Sequence, residues 1–316
     1  MTNSEKKLFA AKLSITTAVC LSIMKFIVGL LTGSMAVLSS AIDSMLDILM
    51  SGVNFLAIRH AEQPADDDHA YGHGKFETMA ALVQSLVIGG SGVWILIESV
   101  RRLMSRTDPS QLGKGVIVLL VSVAASWLIS RYLVRVARET DSPALHADSL
   151  HFAMDVYTNL ALTGGLAVMY IFNLTWLDSL LSLLVGGYIL TEALKLARRA
   201  IGDVLDEQLP EPIRLQIEEI IRRHGNDTYS CHNLRTRKSG SRKIIDFHLT
   251  ICKHLTVDES HHVTEVLEQE IEEQISNADI TIHVEPCSQP DCPGHSTRCN
   301  AEVIRSRADR TYTADS

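Results

Sequence analysis

The sequence predicts a two-part protein: an all-α membrane domain of six helices, followed by a small α+β domain in the order α-β-β-α-β. Three observations carry this. Before residue 200 the chain holds six mostly apolar runs, each of the roughly 20 residues needed to cross about 30 Å of hydrocarbon. After residue 200 it becomes a dense mixture of Glu, Arg, Lys and His with short apolar stretches. Basic residues at the ends of the runs concentrate on one side of the predicted bilayer. The expected division is 1–208 for the membrane domain, 209–286 for the soluble domain and 287–316 for a Cys-containing tail.

The spans are expected at Ala11–Leu31, Ala36–Ile58, Thr78–Val100, Val116–Tyr132, Ser149–Phe172 and Leu177–Leu196. The N-terminal run is too long for a signal peptide and lacks a small-residue cleavage site, so it is expected to stay as a helix. With the N-terminus inside, Lys6, Lys7, Lys12, Arg59, Lys75, Arg131, Arg135, Arg138, Lys195, Arg198 and Arg199 lie on the inner side. Only Arg101, Arg102, Arg106 and Lys114 lie outside, all between spans three and four. This bias places both termini and the soluble domain in the cytoplasm.

Composition excludes several classes. Of the 316 residues 46% are hydrophobic, too many for a disordered chain. The 29 Lys+Arg against 37 Asp+Glu give a net charge of −8, which argues against a nucleic-acid partner. No Gly-x4-Gly-Lys-Ser/Thr segment is present to support an ATP-driven pump, and no feature calls for an organic cofactor. Five of the six cysteines fall in the soluble part, where a reducing cytosol favours free thiols or metal ligands over disulfides.

The informative residues are the charges inside the spans. Asp43 and Asp47 lie in span two, and His151 and Asp155 in span five. An Asp at the centre of a bilayer costs about 2.5–3.5 kcal/mol on insertion scales, so such groups need partners. Each pair has i,i+4 spacing and shares one helix face. Two such faces in apposition give three carboxylates and one imidazole, a tetrahedral oxygen and nitrogen set suited to Zn²⁺ or a similar divalent ion. His146 and Asp148 flank the start of span five, and a faint repeat continues with Ser51 and Asn54 in one span, Thr158 and Asn159 in the other. An intramembrane aspartyl protease is a poor fit, because Asp43 and Asp47 share one helix and no Gly-x-Gly-Asp element occurs. Lys25 is expected to snorkel or make a structural contact.

Between spans two and three, Asp66, Asp67, Asp68, His69 and His73 crowd together, with Gly72 and Gly74 allowing a tight turn. Asp66, His69 and His73 form a candidate second cation site; a solvated acidic loop is the alternative. In the soluble part, Pro212 to Arg223 reads as an amphipathic helix. Thr228 to Lys238 and Arg242 to Cys252 read as strands about the turn Ser239-Gly240. Asp258 is expected to cap a helix running to about Ile275, and Asp279 to Glu285 reads as a third strand. The tail, Cys287-x4-Cys292-Pro-x-His295-x3-Cys299, is either a soft-metal chelator or disordered, and the polar stretch from Asn300 to Ser316 predicts a disordered end.

The Asp-x3-Asp and His-x3-Asp pairs, the loop Asp-Asp-Asp-His-x-Tyr-Gly-His-Gly-Lys and Leu-Arg-Thr-Arg at 234–237 together resemble the cation diffusion facilitators, bacterial divalent-metal/proton exchangers. The resemblance spans about residue 8 to Pro286. It implies a multi-pass protein of the cell inner (plasma) membrane. It also implies that the soluble domain is metallochaperone-like and joins a homodimer. By the same resemblance His232, His248, His261, His283 and Glu285 match a regulatory metal site, with Glu285 standing where the family usually has Asp. Lys75 and Asp206 occupy the positions of a charge pair at the junction of the two domains. The expected activity is efflux of a divalent metal, most consistent with Zn²⁺ because one imidazole stands among the four ligands, in exchange for protons. The alternatives are Fe²⁺, Cd²⁺ or Mn²⁺ as the main substrate, or a membrane metal sensor that does not transport.

Overall fold

The computed structural model describes residues 2–32, 35–105, 116–172, 175–225 and 230–288, and the chain divides into two compact units at Val204/Leu205. The first unit is six helices: α1 (Asn3–Thr32), α2 (Met35–Ala61), α3 (Lys75–Ser105), α4 (Val116–Thr140), α5 (Pro143–Phe172) and α6 (Thr175–Val204). Stretches of α1, α3, α4 and α6 are long and apolar enough to cross a membrane, with α1 qualifying over Asn3–Val28 and α3 over Lys75–Arg101. The helices outrun the apolar runs, α1 by a polar first turn and α4 by eight residues past Tyr132. A hydropathy run marks the hydrocarbon, whereas a helix continues while its backbone bonds and side-chain partners allow.

The packing is inverted relative to a soluble bundle. Leu31, Trp94, Met104, Leu128 and Leu184 are exposed. Small residues are prominent inside: Ala10, Ala11, Ala18, Ala57, Ala137 and Ala144 lie beside Ile58, Leu133, Leu145 and Phe152 in the cluster that joins α1, α2, α4 and α5. Helices in lipid gain little from burying apolar area and associate through close approach instead. The α3–α6 contact shows it: a Cβ on Gly92 would stand 3.0 Å from Ile189 Cγ2 and 3.3 Å from the Leu190 amide, and one on Gly186 would meet Ile95 Cγ2 at 3.1 Å.

The break between α4 and α5 sets the phase of α5. Asp141 takes φ 55°, a left-handed step that ends α4. Ser142 caps the next helix, its Oγ accepting from the Leu145 amide at 3.3 Å, and Pro143 occupies the first helical position, where no amide is needed.

The second unit comprises α7 (Glu211–Gly225), β1 (Ser230–Ser239), β2 (Arg242–Ile251), α8 (Val257–Gln274) and β3 (Ala278–Pro286). The sheet order is β1-β2-β3, with β1/β2 antiparallel and β2/β3 parallel. Alternate residues of β2, namely Ile245, Phe247, Leu249 and Ile251, are buried against Ile217, Ile220 and Ile221 of α7 and Val263, Leu267 and Ile271 of α8. The other face of β2 carries His248 and Thr250. Gly240, at φ 62°, makes the expected turn between β1 and β2. The cap of α8 corrects the sequence reading: it is Thr256, not Asp258. Thr256 Oγ1 accepts from the Glu259 amide, and the Glu259 carboxylate accepts from the Thr256 amide at 2.8 Å. This reciprocal box satisfies two free amides at once and leaves Asp258 in the first turn, where a negative charge is favourable.

Candidate metal sites

The first group lies where α2 and α5 cross. Asp47, His151 and Asp155 each offer a ligand atom, and these atoms all lie within 4.8 Å of one another. His151 Nε2 is 2.9 Å from Asp47 Oδ1, and the two side chains are 12% and 17% exposed. The spacing of His151 and Asp155 puts both on one stripe of α5, the stripe that meets Asp47 of α2. Asp43 is in α2, one turn before Asp47, but its side chain lies outside the described residues. Within the group are hard oxygens and one nitrogen, a donor set for a divalent cation of borderline softness.

Behind this group lies a buried polar pocket that reading along the chain missed. Asp148 is 1% exposed. Its carboxylate accepts from Ser14 Oγ of α1 and, at 3.4 Å, from Ser51 Oγ of α2. Asn54 donates to Gln84 of α3, and both amides stand beside the Asp148 carboxylate. A second buried network ties the helix ends: Lys7 Nζ donates to Glu77 Oε1 at 3.0 Å and also to Glu62, and Ser142 Oγ donates to Glu77. Polar residues in apolar runs were the available signal for Ser14 and Gln84, and Lys7 stood out only as one of the basic residues before the first run, but their partners are too distant in sequence to be paired by pattern. Lys25 is 6% exposed and donates to Ser44 Oγ at 2.7 Å, so it makes a structural contact and does not snorkel.

The second group is in the α2–α3 loop, where Asp66, His69 and His73 fall within the same 4.8 Å limit. Asp66 Oδ1 accepts from the His69 amide at 2.7 Å and lies 3.3 Å from His69 Nδ1; Asp66 Oδ2 is 3.2 Å from His73 Nε2. The His69 amide, followed by its ring and by His73, holds the Asp66 carboxyl below its ordinary value. Gly72, at φ 76°, returns the chain so that His73 faces Asp66.

The third group is on the exposed face of the sheet. His232, His248 and Glu285 bring their ligand atoms within 4.8 Å. His248 Nδ1 is 2.8 Å from Glu285 Oε1, His232 Nε2 is 3.2 Å from Glu285 Oε2, and His283 Nε2 is 3.9 Å from Glu285 Oε1. The register explains this: His232 pairs with His248 across β1/β2, and His248 with His283 across β2/β3. The hydrogen bond from His248, then the charges of the three imidazoles, pull the Glu285 carboxyl below its ordinary value. His261 stands on α8; it is not among the ligand atoms that close within that limit.

Of the junction residues, Lys75 opens α3 and its Nζ reaches the Val204 carbonyl at 3.5 Å. Asp206, at φ 58°, accepts from Arg237 Nη1 at 3.4 Å. The side chain of His224, and the chain from 289 onward with Cys292, His295 and Cys299, lie outside the described residues.

Comparison with known proteins decides the family. Residues 11–205 match the cation efflux transmembrane domain, and 209–287 match the cation efflux protein cytoplasmic domain. The chain belongs to the cation efflux family, the cation diffusion facilitators. Relatives include the cation-efflux pump FieF of Escherichia fergusonii, 37% identical over 81% of this chain and 85% of that one. The pump of the same name from Citrobacter koseri is 35% identical over the same shares. That of Salmonella arizonae is 34% identical over 88% of this chain and 92% of its own. The cation efflux protein described here is therefore a multi-pass membrane transporter of metal cations with a separate α+β domain.

Proposed function

We infer that this protein exports Zn²⁺, or a closely similar divalent ion, in exchange for protons through one site made by Asp43, Asp47, His151 and Asp155. The observation that carries the reading is the imidazole of His151 standing among the Asp47 and Asp155 carboxylates between α2 and α5. The carboxylates must be ionised and the imidazole neutral to hold a cation, so protons and metal compete for the same lone pairs. Rocking of the helices would expose the site to either side by turns. The protein is then a carrier and not a catalyst, and no organic cofactor has a role.

The remaining groups fit the same activity. Asp66, His69 and His73 would collect cations at the inner mouth. His232, His248, His283 and Glu285, with His261, would sense cytosolic metal. Lys75 and Asp206 would couple the two domains of a homodimer in the inner membrane, with both termini cytoplasmic. A double-mutant cycle on Lys75→Ala and Asp206→Ala tests the coupling, and the mass of the detergent-solubilised protein tests the dimer.

The deciding experiment is flux into proteoliposomes, metal by metal, under an imposed pH gradient. Zn²⁺ uptake that responds to the gradient and vanishes in Asp155→Ala supports the reading. Faster Fe²⁺, Cd²⁺ or Mn²⁺ flux reassigns the substrate, and metal binding with no flux of any ion makes the protein a sensor.

A further inference from the structure

Five polar side chains from four helices meet inside the membrane domain: Ser14 of α1, Ser51 and Asn54 of α2, Gln84 of α3 and Asp148 of α5, none more than 1% exposed. Ser14 Oγ donates to Asp148 Oδ2, and Ser51 Oγ donates to Oδ1 at 3.4 Å. The two hydroxyl oxygens are 3.1 Å apart. Asn54 Nδ2 donates to Gln84 Oε1 at 2.5 Å, and both amides stand beside the Asp148 carboxylate. Two atoms are left over. Asn54 Oδ1 and Gln84 Nε2 are buried and make no hydrogen bond among the described residues. Folded interiors leave few polar atoms unpaired, so a spare acceptor and a spare donor on two touching amides mark a place for a small polar ligand.

Charge is unbalanced at the same point. Asp148 pairs with no Lys or Arg among the described residues, and the charge that reaches it is that of His151, one turn on along α5. That imidazole must be neutral when it holds a metal, and Asp47 and Asp155 already match the two charges of a divalent ion. Asp148 is then a lone carboxylate in a low-dielectric interior, a costly placement without a counter-charge. A water alone would satisfy the amides and leave the charge. A proton would remove the charge and leave the amides, and both carboxylate oxygens are already engaged by hydroxyls. A small cation with one water of hydration answers both needs.

We propose that this pocket binds a monovalent cation of the size of Na⁺, at a site separate from the one that carries the transported metal. The Asp148 carboxylate, Ser14 Oγ, Ser51 Oγ and Asn54 Oδ1 supply hard oxygens only, which suits an alkali ion and not a soft one. One carboxylate matches one positive charge, whereas Ca²⁺ sites gather several. Oxygens 3.1 and 3.4 Å apart are close to the edges of a shell about 2.3–2.6 Å in radius, the range for Ca²⁺ and for the similarly sized Na⁺. Gln84 Nε2 donates to the oxygen of the ion's water. An ion here clamps α1, α2 and α3 to α5 beside the crossing of α2 and α5, and steadies that crossing while metal enters and leaves.

The test uses the full chain, metal-free in detergent, with NaCl as the probe and choline chloride holding ionic strength constant. The melting temperature is expected to rise saturably with Na⁺, by about 3 °C or more, and far less with K⁺. Asp47→Ala is expected to keep the rise and Asp148→Asn to lose it. Should Asp148→Asn fail to fold, Ser51→Ala decides, because it should need about ten-fold more Na⁺ for the same rise. Binding of radioactive Na⁺ to the wild-type chain is a second readout, displaced by unlabelled Na⁺ and not by choline. No rise over choline, an equal rise with K⁺, no bound radioactive Na⁺, a rise kept by Asp148→Asn, a rise lost in Asp47→Ala or an unchanged Na⁺ requirement in Ser51→Ala overturns the proposal. So does a melting temperature that follows pH and ignores Na⁺, which gives the pocket to a proton. Each of these outcomes leaves metal flux through Asp47, His151 and Asp155 to be decided by its own assay.

Discussion

His151 Nε2 stands 2.9 Å from Asp47 Oδ1, linking α5 to α2 at a point where both side chains are largely withdrawn from solvent. A contact of this kind holds two helices together only while one partner carries charge or a proton is shared between them. A divalent cation among Asp47, His151 and Asp155 would replace it. Removing a ligand should therefore abolish transport without abolishing the fold. Asp47→Ala and Asp155→Ala are expected to lower Zn²⁺ flux by about 100-fold or more, the scale of losing a charged ligand, while membrane expression stays unchanged. Flux at wild-type rates in either variant removes the site.

His151→Asp replaces the nitrogen by oxygen. It should shift metal preference toward harder ions such as Mn²⁺. It also deletes the group whose ordinary titration lies closest to neutrality, so the pH profile of transport should move toward acid. Competition assays at several pH values check both expectations together.

Asp148 is the residue whose role only its neighbours reveal. Asp148→Asn keeps the shape but turns an NH₂ donor toward the hydroxyl donors of Ser14 and Ser51. Hydrogen bonds to a charged group contribute about 1.5–3 kcal/mol each. The variant is expected to melt at lower temperature and to transport more slowly, and Ser14→Ala should show a smaller loss in the same direction.

The packing of α3 on α6 gives a steric prediction. Gly92→Ala places a methyl 3.0 Å from Ile189 and 3.3 Å from backbone, so it should destabilise by about 1–3 kcal/mol. Gly90→Ala meets nothing within 4 Å and should be neutral or slightly stabilising. Thermal melting in one detergent distinguishes the two.

In the cytoplasmic domain the sign of the pH effect is set by Glu285. Its folded carboxyl titrates below its ordinary value near 4.5, so the unfolded chain binds the proton more readily. The stabilisation is present above that value and is lost as pH falls through the folded one. Glu285→Gln should flatten this acid limb, and Zn²⁺ should protect the domain from protease in wild type but not in the variant with His232, His248 and His283 replaced by Ala. Cys231 gives a second pH-dependent readout. Burial, then the Glu218 charge, push its thiol up to about 11, so its alkylation should be slow at pH 8 and rise steeply as pH approaches 11.

What the amino-acid order determined by itself was everything that depends on local spacing. Run length placed the six helices, and the i,i+4 rule put Asp47 on one face of α2 and His151 with Asp155 on one face of α5. The Ser239-Gly240 turn brought His232 near His248, but only the register shift between His232 and Arg235 set the two directly opposite. Tertiary structure decided what distance along the chain conceals. Ser14 and Asp148 meet although 134 residues separate them, and Lys7 meets Glu77 across 70. The cap of α8, expected at Asp258, fell to Thr256 through its reciprocal bonds with Glu259. Pattern along a chain reports which face a residue takes; which residue it faces depends on the packing of helices and strands far apart in sequence, where each buried polar group must find a partner from among all those that the fold brings near.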